Sequence, residues 1–161
     1  MEEKSLEIKY REYDSREELP EKDRQLLDAA ENALAGSYAP YSNFNVGAAV
    51  LLGDGTVVMG ANQENAAFPS GLCAERTALF AAQAQYPEQE VTMLAIAAKN
   101  EHGLVAAPVS PCGACRQVML EVEERYKNPM KILLYGTKGI YVISSTKDLM
   151  PLCFVDSDMH Q

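Results

Sequence analysis

Pro111-Cys112-Gly113-Ala114-Cys115-Arg116-Gln117 places two cysteines three residues apart, directly after a proline that can open a helix. On a helix, residues at i and i+3 share a face, so both sulfurs can aim at one point. Two thiolates make half of a tetrahedral zinc shell. Cys73 is the natural third ligand, because it too stands where a loop gives way to a helix-forming stretch. The partial positive charge at a helix N-terminus lowers a nearby thiol pKa. Two such helices meeting end to end would hold three thiolates around a cation.

Glu75 and Arg76 follow Cys73 at once. With Cys73 around the N-cap, Glu75 reaches an open metal position, where zinc lowers the pKa of bound water toward ~7 and a carboxylate can move its proton. Taken alone, Glu75 is also an ordinary first-turn acid that complements the helix dipole. Three thiolates and one Zn²⁺ sum to −1, and Arg76, three residues on, can fold back and donate to sulfur, offsetting that charge. Cys153 leaves two options open. In Met150-Pro151-Leu152-Cys153-Phe154-Val155 it reads as a small buried hydrophobe, yet as a fourth ligand it would make the site structural rather than catalytic. His102 and His160 lie in no ligand-spaced motif, so a metal site here is thiolate-rich.

Composition limits the function classes. The chain has 161 residues, a hydrophobic fraction of 47% and no long Gly/Ser/Pro linker, which fits one globular domain. No signal segment and no apolar run of ~18 residues is present, so a cytoplasmic protein without a membrane span is expected. In that setting four cysteines are thiols or ligands rather than a disulfide framework. A formal charge of −9 without a basic patch argues against nucleic acid as partner. A small neutral or cationic ligand fits better.

The elements that must position these residues follow from periodicity. Leu6, Ile8 and Tyr10 alternate within 5–13, an edge-strand pattern. Pro20 opens a helix whose stripe is Leu26, Leu27, Ala30, Ala33 and Leu34, with Gly36 as its stop. Residues 46–52 and 56–60 form a hairpin about Gly53-Asp54-Gly55. Helices follow over 73–86 and 112–126, with strands at 91–98, 132–135 and 140–143 and a short helix at 146–150. This order predicts an α/β fold: a single mixed sheet of about five strands with helices on both faces.

Cys73-Ala74-Glu75-Arg76-Thr77-Ala78 and the 111–117 motif together resemble the cytidine deaminase family. So do Tyr38-Ala39-Pro40-Tyr41-Ser42-Asn43-Phe44 and Asn62-Gln63-Glu64-Asn65-Ala66. Each piece is weak by itself, and four in order are specific. The likeness runs from about Leu26 to Phe154, with 1–20 as an N-terminal extension to a domain over 21–161. Zinc deaminases bearing three cysteines instead of a histidine and two cysteines are the variant matched.

The resemblance implies a three-layer α/β/α fold and zinc-dependent hydrolysis of cytidine, and of deoxycytidine, to the uridine and ammonia, in pyrimidine salvage. It implies one zinc per chain on Cys73, Cys112 and Cys115, with Glu75 carrying the proton to N3 and then to the leaving amine. Ala74 and Ser110 would hold the base edge through their backbones. Phe44 would pack on the ring, unless it is a core residue behind its loop. Asn62 and Glu64 would bind the ribose 3′-hydroxyl, though both also suit turn chemistry. Glu64's charge would then repel a 3′-phosphodiester.

A homotetramer is implied as well, in which Phe68 and Phe154 reach a neighbour's site, unless they are intrachain core. The sequence departs from the family at Phe68, where many relatives have tyrosine, and at Cys153 and Val155, where smaller residues are common. A deaminase of a modified cytosine nucleoside such as blasticidin S remains an alternative. So does a zinc-stapled binding module without chemistry.

Overall fold

In a computed structural model, which describes residues 1–160, the apolar runs become strands buried on both sides. In β2 (Asn45–Leu52), Ala48, Val50 and Leu52 enter one core while Ala49 and Leu51 enter the other. β4 (Val91–Asn100) divides in the same way, Leu94 and Ile96 against Met93, Ala95 and Ala97. Burial on both faces is why these strands read as continuous hydrophobic stretches rather than as an alternation.

The sheet runs β1-β7-β6-β4-β2-β3, with β1 spanning Tyr10–Tyr13, β3 Val57–Ala61, β6 Lys131–Gly136 and β7 Gly139–Ile143. Among the strands of the described residues only the β4–β6 pair is parallel, and a parallel pair needs a crossover. That crossover carries α3 (Gly113–Tyr126). α1 (Glu21–Ala33) covers one face through Leu26, Leu27 and Ala30. α2 (Ala74–Gln85) and α3 cover the other through Ala78, Leu79, Met119 and Val122. Helices on both faces of one mixed sheet are as expected.

Among the described residues the sheet has seven strands rather than about five. The strand without a sequence expectation is the two-residue β5 (Gly103–Leu104), which pairs with β4, while the edge strand β1 (Tyr10–Tyr13) answers to the alternation in 5–13. The strand expected over 5–13 is confined to 10–13 because Tyr10 already lies opposite Ile143, the last residue of β7. Residues 1–9 have no strand beside them, and Leu6 and Ile8 are exposed.

Two glycines set how closely helices approach the sheet. A Cβ on Gly47 would lie 2.1 Å from the Ala30 carbonyl oxygen of α1, and one on Gly60 would lie 2.4 Å from the Ala78 nitrogen of α2. At the far end of α3, the buried Glu123 carboxylate accepts from the backbone N–H of Met130 (2.8 Å) and Thr146 (2.7 Å) and from the Ser145 hydroxyl (2.8 Å). It fastens the C-terminal segment to the helix that bears the cysteine pair.

Candidate metal centre and binding cavity

Cys73 and Cys112 hold equivalent places on two helices. Each is an N-cap with extended backbone (φ −72°, ψ 155° and φ −68°, ψ 166°), and neither side chain caps its own helix. Both sulfurs are therefore free to turn toward a common point. Cys115, buried in the first turn of α3, supplies the third. The Cys73 and Cys112 sulfurs are 3.9 Å apart and those of Cys112 and Cys115 3.5 Å, with all three within 4.8 Å of one another. Thiolates at ~2.3 Å from a tetrahedral zinc stand roughly 3.8 Å apart, so the trio fits that ion. Cys153 is not in the cluster, which leaves three protein ligands and removes the four-thiolate option.

Electrostatics agree with a cation site. The hydrogen bond from Cys115 pulls the Cys73 thiol down to about 5; burial opposes this, and Arg76 and Cys112 reinforce it. The Cys115 thiol moves upward, through that same bond to Cys73 and through burial. The sulfurs thus share protons that a divalent cation would displace. Arg76 donates from Nη2 to the Cys73 sulfur at 3.5 Å. Its Nε is buried without a hydrogen-bond partner among the described residues, a cost that neighbouring thiolate charge offsets.

Glu75, the second residue of α2, is only 5% exposed. Burial pushes its carboxyl above the usual range, its own backbone N–H draws it partly back, and the Cys73 charge adds to the rise. A carboxyl whose charged form burial disfavours is a stronger base than a free one.

Cys73, Glu75, Arg76 and Cys112 line a cavity of about 680 Å³, a size suited to a small organic ligand. Phe44, Asn62, Glu64, Phe68 and Ser110 line it too. Phe44 is thus a cavity wall rather than core behind the loop. Ala74 is fully buried and does not itself line the cavity, and as the first residue of α2 its N–H has no partner within the helix.

Asn62 and Glu64 also brace the 37–45 loop. Asn62 donates to the Phe44 carbonyl (2.9 Å) and accepts from the Val46 N–H (2.8 Å) and the Ser37 hydroxyl. Glu64 accepts from the Tyr41 N–H (2.8 Å), the Ser42 N–H (3.2 Å) and the Ser42 hydroxyl. The Ser42 hydroxyl is the main reason that the Glu64 carboxyl sits below the usual range, with the two N–H groups adding to it. Three bonds leave a carboxylate with about one lone pair to offer a ligand.

Sequence reasoning missed Ser42 and Gly60. An exposed serine in a turn and a glycine in a strand carry no local signal of such partners.

Phe68 is 73% exposed and Phe154 57% exposed, so neither is intrachain core. Phe68 meets Tyr41 edge to face at 5.5 Å between centroids. Phe154 does not line the cavity. Its backbone carbonyl accepts from the Gln117 amide at 3.1 Å.

Residues 20–127 match the family described as the cytidine and deoxycytidylate deaminase zinc-binding region. The chain is 42% identical over 139 residues to a cytidine deaminase of Halalkalibacterium halodurans, covering 86% of this chain and 98% of that protein. It is 38% identical to one from Sporosarcina psychrophila, covering 84% of this chain and 93% of that one. Among solved structures, a cytidine deaminase from Burkholderia pseudomallei superposes with a TM-score of 0.69 at 40% identity, covering 81% of this chain and 97% of that chain.

Proposed function

The chain belongs to the cytidine and deoxycytidylate deaminase zinc-binding family, and on that footing we propose that it hydrolyses cytidine, and deoxycytidine, to the corresponding uridine and ammonia in pyrimidine salvage. The observation that carries this is the buried Glu75 carboxyl beside three converging sulfurs on the wall of one cavity.

Cys73, Cys112 and Cys115 would hold one zinc ion per chain. When bound, zinc lowers the pKa of water at its remaining position toward ~7. Glu75 accepts that proton and delivers it to N3 of the base; it then takes the proton of the hydroxyl newly bonded to C4 and delivers it to the departing amine. Its raised pKa strengthens it as the base that accepts the proton. Arg76 offsets the excess negative charge of three thiolates around a dication.

The backbones of Ala74 and Ser110 hold the base edge, and Phe44 packs on the ring. Asn62 offers its second amide proton and Glu64 its remaining lone pair to the ribose 3′-hydroxyl. Because Glu64 stays ionised, it repels a 3′-phosphodiester, which confines the site to free nucleosides. A net charge of −9 supports the same exclusion of nucleic acid.

Among the described residues no helix is long and apolar enough to cross a membrane, and we place the activity in the cytoplasm. Exposed Phe68 and Phe154 support assembly as a homotetramer in which each reaches a neighbour's cavity. Residues 21–161 form the catalytic domain in this reading, with 1–20 as an extension to it.

The test is the fall in ultraviolet absorbance on mixing with cytidine, read alongside zinc stoichiometry. Turnover with about one zinc per chain, lost on chelation and in Glu75→Gln, is expected. Full turnover by Glu75→Gln would overturn the proton-transfer role.

A further inference from the structure

Three donors from the 37–45 loop converge on the Glu64 carboxylate: the Tyr41 and Ser42 N–H groups on one oxygen and the Ser42 hydroxyl on the other. Of the three, only the hydroxyl belongs to a side chain. A serine hydroxyl has one proton to give and two lone pairs to offer. Its proton goes to Glu64, and its oxygen accepts from the Phe44 N–H at 3.1 Å. Donating to a carboxylate makes that oxygen a better acceptor, so the two bonds reinforce each other.

Phe44 is held at its other end as well. Its carbonyl accepts from the Asn62 amide at 2.9 Å. Between Ser42 and Phe44, Asn43 takes φ +55°, a left-handed conformation that asparagine tolerates better than most residues. The Asn43 N–H closes a turn onto the Ala39 carbonyl at 3.0 Å. The residue that forms the ring wall thus hangs between two side chains of the cavity, Ser42 and Asn62. Catalysis by orientation requires base and sugar to be held at a fixed separation, and here one oxygen atom bonds to both groups that hold them.

We propose that Ser42 is a positioning residue that couples recognition of the sugar to recognition of the base: its one hydroxyl aims the Glu64 carboxylate at the ribose and fixes the backbone that carries the Phe44 ring. The inference rests on the ribose role of Glu64 and the ring role of Phe44. The main chain at Glu64 is anchored without Ser42, since the Glu64 N–H donates to the Tyr38 carbonyl at 2.8 Å. Removing the hydroxyl therefore loosens the aim of the carboxylate and leaves the path of the chain in place. Ser42 is exposed, so a threonine there has room for its methyl.

Steady-state kinetics on cytidine and on 3′-deoxycytidine test it, with zinc content as the control for folding. The ratio of the two kcat/KM values measures how well the 3′-hydroxyl is read. Ser42→Ala should lower that ratio roughly ten-fold, as for one lost hydrogen bond, and the loss should fall on KM. Glu64→Gln should lower it to a similar degree, and the double variant no further, because Ser42 reads the hydroxyl only through Glu64. With 3′-deoxycytidine, which offers Glu64 nothing, Ser42→Ala should still raise KM several-fold through Phe44, whereas Glu64→Gln should not. Ser42→Thr should restore both quantities.

A ratio that collapses in Glu64→Gln but survives in Ser42→Ala overturns the proposal alone. So does a further fall in the double variant, which would mean that Ser42 touches the sugar itself. An unchanged KM for 3′-deoxycytidine in Ser42→Ala overturns the link to the base. A ratio intact in Glu64→Gln overturns the ribose role of Glu64, and no cytidine turnover by the unsubstituted zinc-loaded protein overturns the function; the proposal falls with either.

Discussion

Gly60→Ala should release zinc, although Gly60 touches neither a ligand nor the cavity. Its added methyl would lie 2.4 Å from the Ala78 nitrogen and 2.8 Å from the Ala74 carbonyl oxygen, both rigid backbone. Ordinary contact begins near 3.4 Å, so the first turn of α2 must retreat from β3 by about 1 Å. Cys73 moves with it, because its carbonyl is bound by the Thr77 N–H and hydroxyl, both at 3.1 Å. Cys112 and Cys115 ride on α3 and stay. A zinc site tolerates roughly 0.2 Å in its ligand distances, so a shift several times larger cannot be absorbed by the sulfurs alone. We expect zinc affinity to fall roughly 10- to 100-fold, the range seen when the groups supporting a ligand are lost. Stability should fall by about 1–3 kcal/mol from overpacking.

Gly47→Ala is the control. Its methyl would meet the Ala30 carbonyl oxygen at 2.1 Å, on the opposite face and against α1. It should lose comparable stability and keep its zinc. Zinc release to a chromogenic chelator, followed well below the melting temperature of both variants, separates the two. Equal release from Gly60→Ala and Gly47→Ala would refute the claim that this glycine sets the ligand distance.

Three further outcomes follow from side chains already placed. Arg76→Gln should retain zinc by metal analysis yet lose much of its kcat, since its guanidinium donates to the Cys73 sulfur; an unchanged kcat would show that the charge balance is irrelevant. Glu64→Gln should raise KM for cytidine and narrow the gap between cytidine and its 3′-phosphate in side-by-side assays, because the exclusion depends on the carboxylate charge. Glu123→Gln should cost about 1–3 kcal/mol, since an amide cannot accept from both backbone N–H groups and the Ser145 hydroxyl as the carboxylate does. That corresponds to a melting temperature lower by roughly 2–12 °C for a domain of this size, with zinc content unchanged.

The helices and the central strands were legible because each carries its own signal. Pro20, Pro87 and Pro111 punctuate the helices, and runs such as 91–98 are too uniformly apolar to lie on a surface. The placement of Cys73 at an N-cap was legible as well, since the Glu75 spacing makes sense only there. What escaped was non-local. Gly60 gives no sign in sequence that a helix will press on it, and the Ser42 hydroxyl finds Glu64 only when two loops meet. The alternation over 5–13 promised a longer strand than forms, because a strand extends only as far as its partner, and β7 stops at Ile143. Whether Cys153 joins the other sulfurs depends on the path of the C-terminal segment, which Glu123, Arg116 and Gln117 hold to α3 and which no local pattern records.

The one parallel pair in the sheet bears on how the metal centre is acquired. Cys73 precedes β4 and the Cys112–Cys115 pair follows it, so the two parts of the site lie on either side of the strand that the chain must insert between β2 and β6. The β2–β3 hairpin is local and can form early, and it seats α2 through Gly60. α3 is fixed only when β6 has docked parallel to β4, a pairing that must first close a long loop and is therefore slow. A nascent chain can offer a metal two sulfurs from Cys112 and Cys115, but the third arrives only with the sheet complete. Tight zinc uptake is thus expected to come late in folding, because the three-sulfur site exists only once α2 and α3 are both seated on the sheet.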